Sequence, residues 1–265
     1  MSTIQNFYDE NVQREWDRLG IRHRTEYAVT LRALHNYLPK PPASIIDIGG
    51  GPGRYAFDLA AQGHAVTLVD LSPANLIFAQ QKEIETGAHL QARLQANALD
   101  LSAFPNQAFD AALLMGPLYH LLDGNERLQA LLEAYRLLKP GGILAAAFIS
   151  RYAAIRDSAK AYPEWLLKHP DSVERLLADG TNLGDQGFTE AYFTHPDEII
   201  PLCQAAGFET ICRMGCEGVV AGHEQKINQL EGTDFEKWAD INYRIGQDPA
   251  LIGASDHILY IGIKK

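Results

Sequence analysis

The chain has 265 residues, of which 46% are apolar and 21% charged, a balance close to the globular average. That balance excludes a disordered chain, a collagen-like repeat and a disulfide scaffold, and the length buries about three quarters of the unfolded surface without staples. A net charge of -10 and an isoelectric point near 5.3 oppose a broad phosphate-backbone footprint, so nucleic acid is not an expected partner.

Residues 1–38 read as helix. Ile4, Tyr8, Val12, Trp16 and Leu19 recur at three to four residues as one apolar stripe, and a second stretch over 25–38 stops at Pro39. From Ala43 short apolar runs alternate with helical stretches. The strands expected are 44–48, 65–70, 90–97, 109–115 and 143–150, with helices over 55–62, 73–85 and 126–138 between them. Ser72-Pro73 supplies an N-cap and a first-turn proline, and Lys139-Pro140-Gly141-Gly142 reads as a stop. Repeated strand–helix–strand units imply a parallel sheet with helices on both faces.

After Arg151 the alternation breaks, and 151–190 reads as a helical insert with loops. It resumes at Thr194-His195-Pro196-Asp197, whose spacing suits a capping box, then a helix to Gly207 and a strand over 208–214. Residues 222–250 form a second helical insert, and HILYIGI over 257–263 closes the chain as a strand.

Three cysteines, Cys203, Cys212 and Cys216, show no CxxC pairing and no zinc-type histidine spacing, which suits buried thiols in a reducing compartment. The N-terminus is too polar for a signal peptide, and no apolar run approaches the roughly eighteen residues of a bilayer span. A cytoplasmic protein is expected, as a monomer or homodimer.

The informative segment is IIDIGGGPGRY, where a strand enters Gly49, Gly50, Gly51, Pro52 and Gly53 before a helix. Glycines there let a ligand approach backbone amides at a helix N-terminus. Asp70, twenty-one residues after Gly49, stands where a carboxylate accepts both hydroxyls of a ribose. The dinucleotide fingerprint fails, because Arg54 or Ala56 occupies its third glycine position. Asp47, two residues before the first glycine, would repel a pyrophosphate and suits an ammonium group. A ribose, no phosphate and an amino-acid tail describe S-adenosylmethionine.

IIDIGGGPGRY, VTLVDLSPANL, ANALDLSAF, FDAALLMGPLYHLL and LLKPGGILAAAFIS, in this order over about 43–150, resemble the class I S-adenosylmethionine-dependent methyltransferases. The resemblance implies a doubly wound, seven-stranded, mostly parallel Rossmann-like sheet with its last strand antiparallel. It also implies a helical lid over 1–38 on a cofactor domain over 39–265, with the two inserts as a substrate cap. Carried over, Asp47, Gly49, Gly51 and Gly53 would hold the methionine end, and Asp70 the ribose. Leu71 would pack on the adenine, Asn97 and Ala98 would lie at its edge, Gly116 near the amino group, and Tyr8 would reach the cofactor from the lid. Asn97 stands where the family often has aspartate.

For the acceptor, His120 is the candidate base, with Tyr119 beside it and Arg151 and Tyr152 leaving the fifth strand towards the same rim. No Asn/Asp-Pro-Pro-Tyr/Phe tetrapeptide follows the fourth strand, which disfavours methylation of base amines and glutamine amides. No cysteine sits on the fourth- or fifth-strand loops, and no acidic set on the rim suggests a metal. His169, His195 and His223 read as surface or capping residues. The expectation is methyl transfer to an O, N or S atom of a small molecule. A methyltransferase acting on RNA or protein, a nicotinamide oxidoreductase and a non-catalytic cofactor-binding regulator stay open as alternatives.

Overall fold

The computed structural model describes residues 3–184 and 188–265; residues 1–2 of the expected lid and 185–187 of the first insert lie outside it. The chain opens with α1 (Thr3–Glu10), α2 (Val12–Asp17), a π turn over Arg18–Arg22 and α3 (Arg24–Tyr37). The sequence reads one helix through Leu19, but Asn11 interrupts it. Its side-chain amide donates to Phe7 O at 2.8 Å, a local bond that competes with the helical ladder.

The alternating region follows as β1 (Ser44–Ile48), α4 (Arg54–Ala61), β2 (Ala65–Asp70), α5 (Pro73–Thr86), β3 (Ala92–Gln95), β4 (Phe109–Leu114), α6 (Gly124–Leu137) and β5 (Leu138–Ile149). Ser72 caps α5 as the sequence indicates, its hydroxyl accepting from Asn75 N. α6 stops at Leu137, just before the Lys139–Gly142 run as the sequence indicates, and that run already belongs to β5, where Leu138 pairs with Phe109 across a register shift. The third strand spans four residues where eight were expected, as befits the sheet's edge.

The first insert holds α7 (Ala153–Ala161), α8 (Glu164–Lys168), α9 (Pro170–Asp179) and an unforeseen antiparallel hairpin of β6 (Thr181–Leu183) and β7 (Glu190–Tyr192). Then come α10 (Pro196–Ala205) and β8 (Phe208–Gly215), the second insert with α11 (Glu224–Ile227), α12 (Gly232–Ile245) and α13 (Pro249–Ile252), and β9 (His257–Lys264). The cap of α10 is His195, whose ring accepts from Asp197 N at 3.3 Å, where a Thr194–Asp197 box was expected.

The main sheet runs β3-β2-β1-β4-β5-β9-β8, and β9 alone is antiparallel, wedged between β5 and β8. Alternate residues of β1 feed two cores. Ile45 joins Leu34 of α3, Leu59 of α4 and Ala79 of α5, while Ile46 joins Leu131 of α6 and Ile199 of α10. Each such fully buried aliphatic side chain contributes about 1.5–3 kcal/mol. The strand order reverses between β1 and β4, and in such sheets ligands bind outside the carboxyl ends at that point.

Candidate active site

A cavity of about 470 Å3 opens at the reversal. Its floor is the β1–α4 loop, its far wall the segment after β4, and its roof comes from Ile4 and Tyr8 of α1, Glu15 of α2, and Arg18 and Leu19 of the π turn. Of the residues singled out in the sequence, it brings together Tyr8, Gly49, Gly51, Asp70, Leu71, Asn97, Ala98, Gly116, Tyr119 and His120. Asp47, Gly53 and Arg151 do not line it.

The loop needs its glycines for shape. Gly49 has φ +65° and a side chain there would strike the Pro117 ring, while a Cβ on Gly116 would come 2.7 Å from Gly49 O. The two loops therefore touch backbone to backbone. Gly53, with φ +88°, starts α4 behind the cavity. The loop amides are already taken: Gly49 N and Gly50 N donate to Val69 O at 2.7 and 3.2 Å, Gly51 N to Asp70 Oδ2 at 2.7 Å, and Gly53 N to Gly50 O at 3.0 Å. The expectation that they face a ligand is thus corrected. The loop offers a close-fitting surface and no cradle for phosphate.

Asp70 locks that loop. Its other oxygen accepts from Ser72 N at 2.8 Å and Asn75 Nδ2 at 3.1 Å, and burial holds its carboxyl above the usual range against these bonds. Asp47 is 1% exposed and lies directly under Gly50, with neither oxygen hydrogen-bonded. Burial, then the Asp70 charge, pushes its carboxyl up to about 7. Asn97 keeps Oδ1 on Leu99 N at 3.0 Å.

Across the cavity, Pro117–His120 forms a 3-10 turn. His120 Nδ1 faces Glu190 O of β7 at 3.3 Å, and Nε2 faces the Tyr8 hydroxyl at 2.6 Å. A carbonyl only accepts, so Nδ1 carries the hydrogen and Nε2 accepts from Tyr8. Burial pushes the imidazole down to about 4, hence it is neutral, and burial raises Tyr8 well above the ordinary phenol so that it keeps its proton. Tyr119 packs its ring 4.7 Å from His120 and is pushed up to about 12 by burial. A second tie holds the roof, as Ser72 Oγ donates to Asp9 of α1 at 2.5 Å.

Arg151 is a correction. It is buried away from the crevice, donating to Glu198 Oε1 at 2.6 Å and reaching Tyr192 and Phe193 O at 3.5 Å, so it fastens β7 to α10. Tyr152 likewise lies outside the cavity. His195 is the cap described above, and His169 packs its ring 5.3 Å from Trp165, in keeping with the reading of both. What the sequence missed is Arg18, whose guanidinium lines the cavity and donates to Glu26 at 3.0 Å, with Glu15 at 3.3 Å. No signal in the sequence marked it, because the π turn that carries it is set by how the N-terminal helices dock.

The profile of the family described as a methyltransferase domain matches residues 46–146. A ubiquinone biosynthesis O-methyltransferase of Xylella fastidiosa is 33% identical over 225 residues, 81% of this chain and 77% of that one. One from Cereibacter sphaeroides is 29% identical over 69% of this chain and 67% of its own. Among solved structures, an S-adenosylmethionine-dependent methyltransferase of Methanosarcina mazei has TM-score 0.61 at 22% identity, covering 88% of this chain and 96% of that one. The Burkholderia thailandensis 1,6-didemethyltoxoflavin-N1-methyltransferase, with bound 1,6-didemethyltoxoflavin and S-adenosylhomocysteine, has TM-score 0.58 at 17% identity over 99% of this chain and 87% of its own. The chain belongs to the S-adenosylmethionine-dependent methyltransferases. It is an enzyme that takes the methyl group of S-adenosylmethionine, and its acceptor is a small molecule, in keeping with the roofed cavity.

The residues fit that cofactor. The orphaned Asp47 carboxylate beneath the glycine loop would answer a cationic amino-acid end, and a loop without free amides would not answer a phosphate. No described helix is long and apolar enough to cross a membrane.

Proposed function

We propose that the accepting atom is a hydroxyl oxygen on a small, largely apolar molecule and that His120 receives its proton. One observation carries this: a neutral imidazole, with Nδ1 occupied by Glu190 O, turns its basic Nε2 to the roof of the cavity. The names of the relatives from Xylella and Cereibacter, both O-methyltransferases, support an oxygen.

The cofactor supplies a methyl already activated on a sulfonium, which leaves with its bonding pair staying on sulfur. The protein's part is alignment and proton handling. Asp70 would take the ribose hydroxyls, Leu71 and Ala98 would flank the adenine, and Asn97 would meet its edge. Asp47 acts through the loop of Gly49, Gly51 and Gly53 on the ammonium, and Gly116 leaves room for it. Tyr8 closes over the donor from the lid of residues 1–38. As the acceptor oxygen forms its bond to carbon, its proton becomes far more acidic than an imidazolium. A neutral His120 therefore takes it despite its low basicity, replacing its bond from Tyr8. Tyr119 fixes the imidazole plane. The inserts over 151–190 and 222–250 shape the acceptor side. Unpaired Cys203, Cys212 and Cys216 favour the cytoplasm, and we read the chain as a monomer or homodimer that does not act on nucleic acid.

The test is transfer of a carbon-13 methyl from labelled cofactor to a panel of catechols, phenols, amines and thiols, read by NMR. Label on oxygen is expected; label on nitrogen or sulfur alone would overturn the reading.

A further inference from the structure

We propose that the chain holds one transition-metal dication, of the Zn2+ class, between its N-terminal helices and the start of β9. Four donor atoms converge there from three distant stretches of sequence: His23 Nδ1, Glu26 Oε2, Glu217 Oε1 and His257 Nδ1, all within 4.8 Å of one another. His257 Nδ1 stands 2.5 Å from Glu217 Oε1 and 3.4 Å from Glu26 Oε2. Two imidazole nitrogens with two carboxylates form a borderline donor set that suits zinc, iron(II), cobalt or manganese better than calcium or magnesium.

Two further observations point to a ligand. His23 Nδ1 is a buried atom without a hydrogen-bond partner, 3.6 Å from Glu224 Oε2 and 3.9 Å from Glu26 Oε2, beyond hydrogen-bond reach of both. The remaining oxygen of Glu224 is also buried and unbonded. The charges agree. Arg18 answers Glu15 and Glu26, and His257 Nδ1 already bonds Glu217, while Glu224 meets His23 at 3.6 Å, so a dication that replaces the His257 proton adds the positive charge this buried carboxylate cluster can take. Bound there, the ion ties α3 and the π turn to the segment just after β8 and to the first residue of β9. Glu26 also bonds Arg18 in the cavity wall, so the ion anchors the roof from behind without entering the crevice. No local spacing in the sequence reveals the site, because the His23–Glu26 pair lies about 190 residues before Glu217, and His257 follows 40 residues later.

The test uses the full chain, stripped with a chelator, dialysed, and titrated with Zn2+ by calorimetry and with Co2+ by visible absorption. One equivalent is expected, with ligand-field bands for cobalt and a rise in Tm on adding Zn2+. His23→Ala, at a part-exposed position, should still bind S-adenosylmethionine while losing the Tm response and weakening metal binding by at least about tenfold. His257→Ala should do the same if it folds; His23→Ala and the parent decide the matter if it does not. No stoichiometric binding by the parent, or binding indifferent to His23→Ala, overturns the proposal.

Discussion

The Tyr8 hydroxyl donates to His120 Nε2 at 2.6 Å, although the two residues are 112 positions apart. This hydrogen bond joins the roof of the cavity to the neutral imidazole on its wall. On the proposed reading, in which His120 takes the acceptor's proton, an acceptor hydroxyl and Tyr8 compete for Nε2, and productive binding displaces the tyrosine.

Tyr8→Phe removes that competitor and one fastening of α1. A loss of about 0.5–1.5 kcal/mol of closure is expected, seen as up to about tenfold weaker cofactor binding, with the chemical step slowed less. Deleting residues 1–20 should go further, leaving a folded core that binds cofactor weakly and transfers methyl at least about tenfold more slowly. Titration with circular dichroism separates the cases; full activity of the truncated chain would make these helices mere packing.

The pH dependence follows from the same pair. Burial holds folded His120 at about 4, against about 6.5 for an unfolded histidine. Between these values the unfolded chain binds a proton that the folded one does not. Stability is therefore full above the upper value, falls as pH drops through the window, and loses about 3 kcal/mol by its lower end. Denaturant melts at pH 7 and 5 check this. Turnover should persist at pH 5, and an acid limb centred near 6.5 would show that His120 titrates as an exposed histidine.

Asp47 gives the opposite sign. Its folded carboxyl sits at about 7, raised by burial and then Asp70, so between about 4 and 7 the folded chain holds a proton the unfolded one lacks. That contribution to stability fades as pH rises through 7. Asp47→Asn should stabilise the ligand-free chain at pH 8 while weakening S-adenosylmethionine by about tenfold or more. Calorimetry near pH 6.5 in buffers of different ionisation enthalpy should show proton release on cofactor binding by the parent only. No release in the parent would mean that its charge does not answer the ammonium.

Asp70→Ala should weaken the cofactor by about 2 kcal/mol or more, since a charged acceptor is lost and Gly51 N and Ser72 N lose their partner. Equilibrium dialysis with labelled cofactor measures it, and binding like the parent's would remove the ribose assignment.

The sheet and the cofactor side were legible because their signals are local. Buried parallel strands announce themselves as short apolar runs, and Gly49 to Asp70 lie within two consecutive strand–helix units. Ser72 was legible for the same reason, as a cap needs only its next three residues. Arg151 misled because its partner, Glu198, lies 47 residues away, and a cation leaving a strand end looks alike whether it faces a crevice or an ion pair. Glu190 O, which sets the tautomer of His120, comes from a hairpin too short and polar to declare a strand. Arg18 and the His23–His257 cluster depend on how the N-terminal helices dock, which no spacing within them encodes.

The account stands most directly on His120→Ala, followed under single-turnover conditions with a hydroxylated acceptor and with cofactor affinity measured on the same sample. The predicted result is a chemical step slowed by about a hundredfold or more with a nearly unchanged Kd for S-adenosylmethionine. An unchanged single-turnover rate would contradict it.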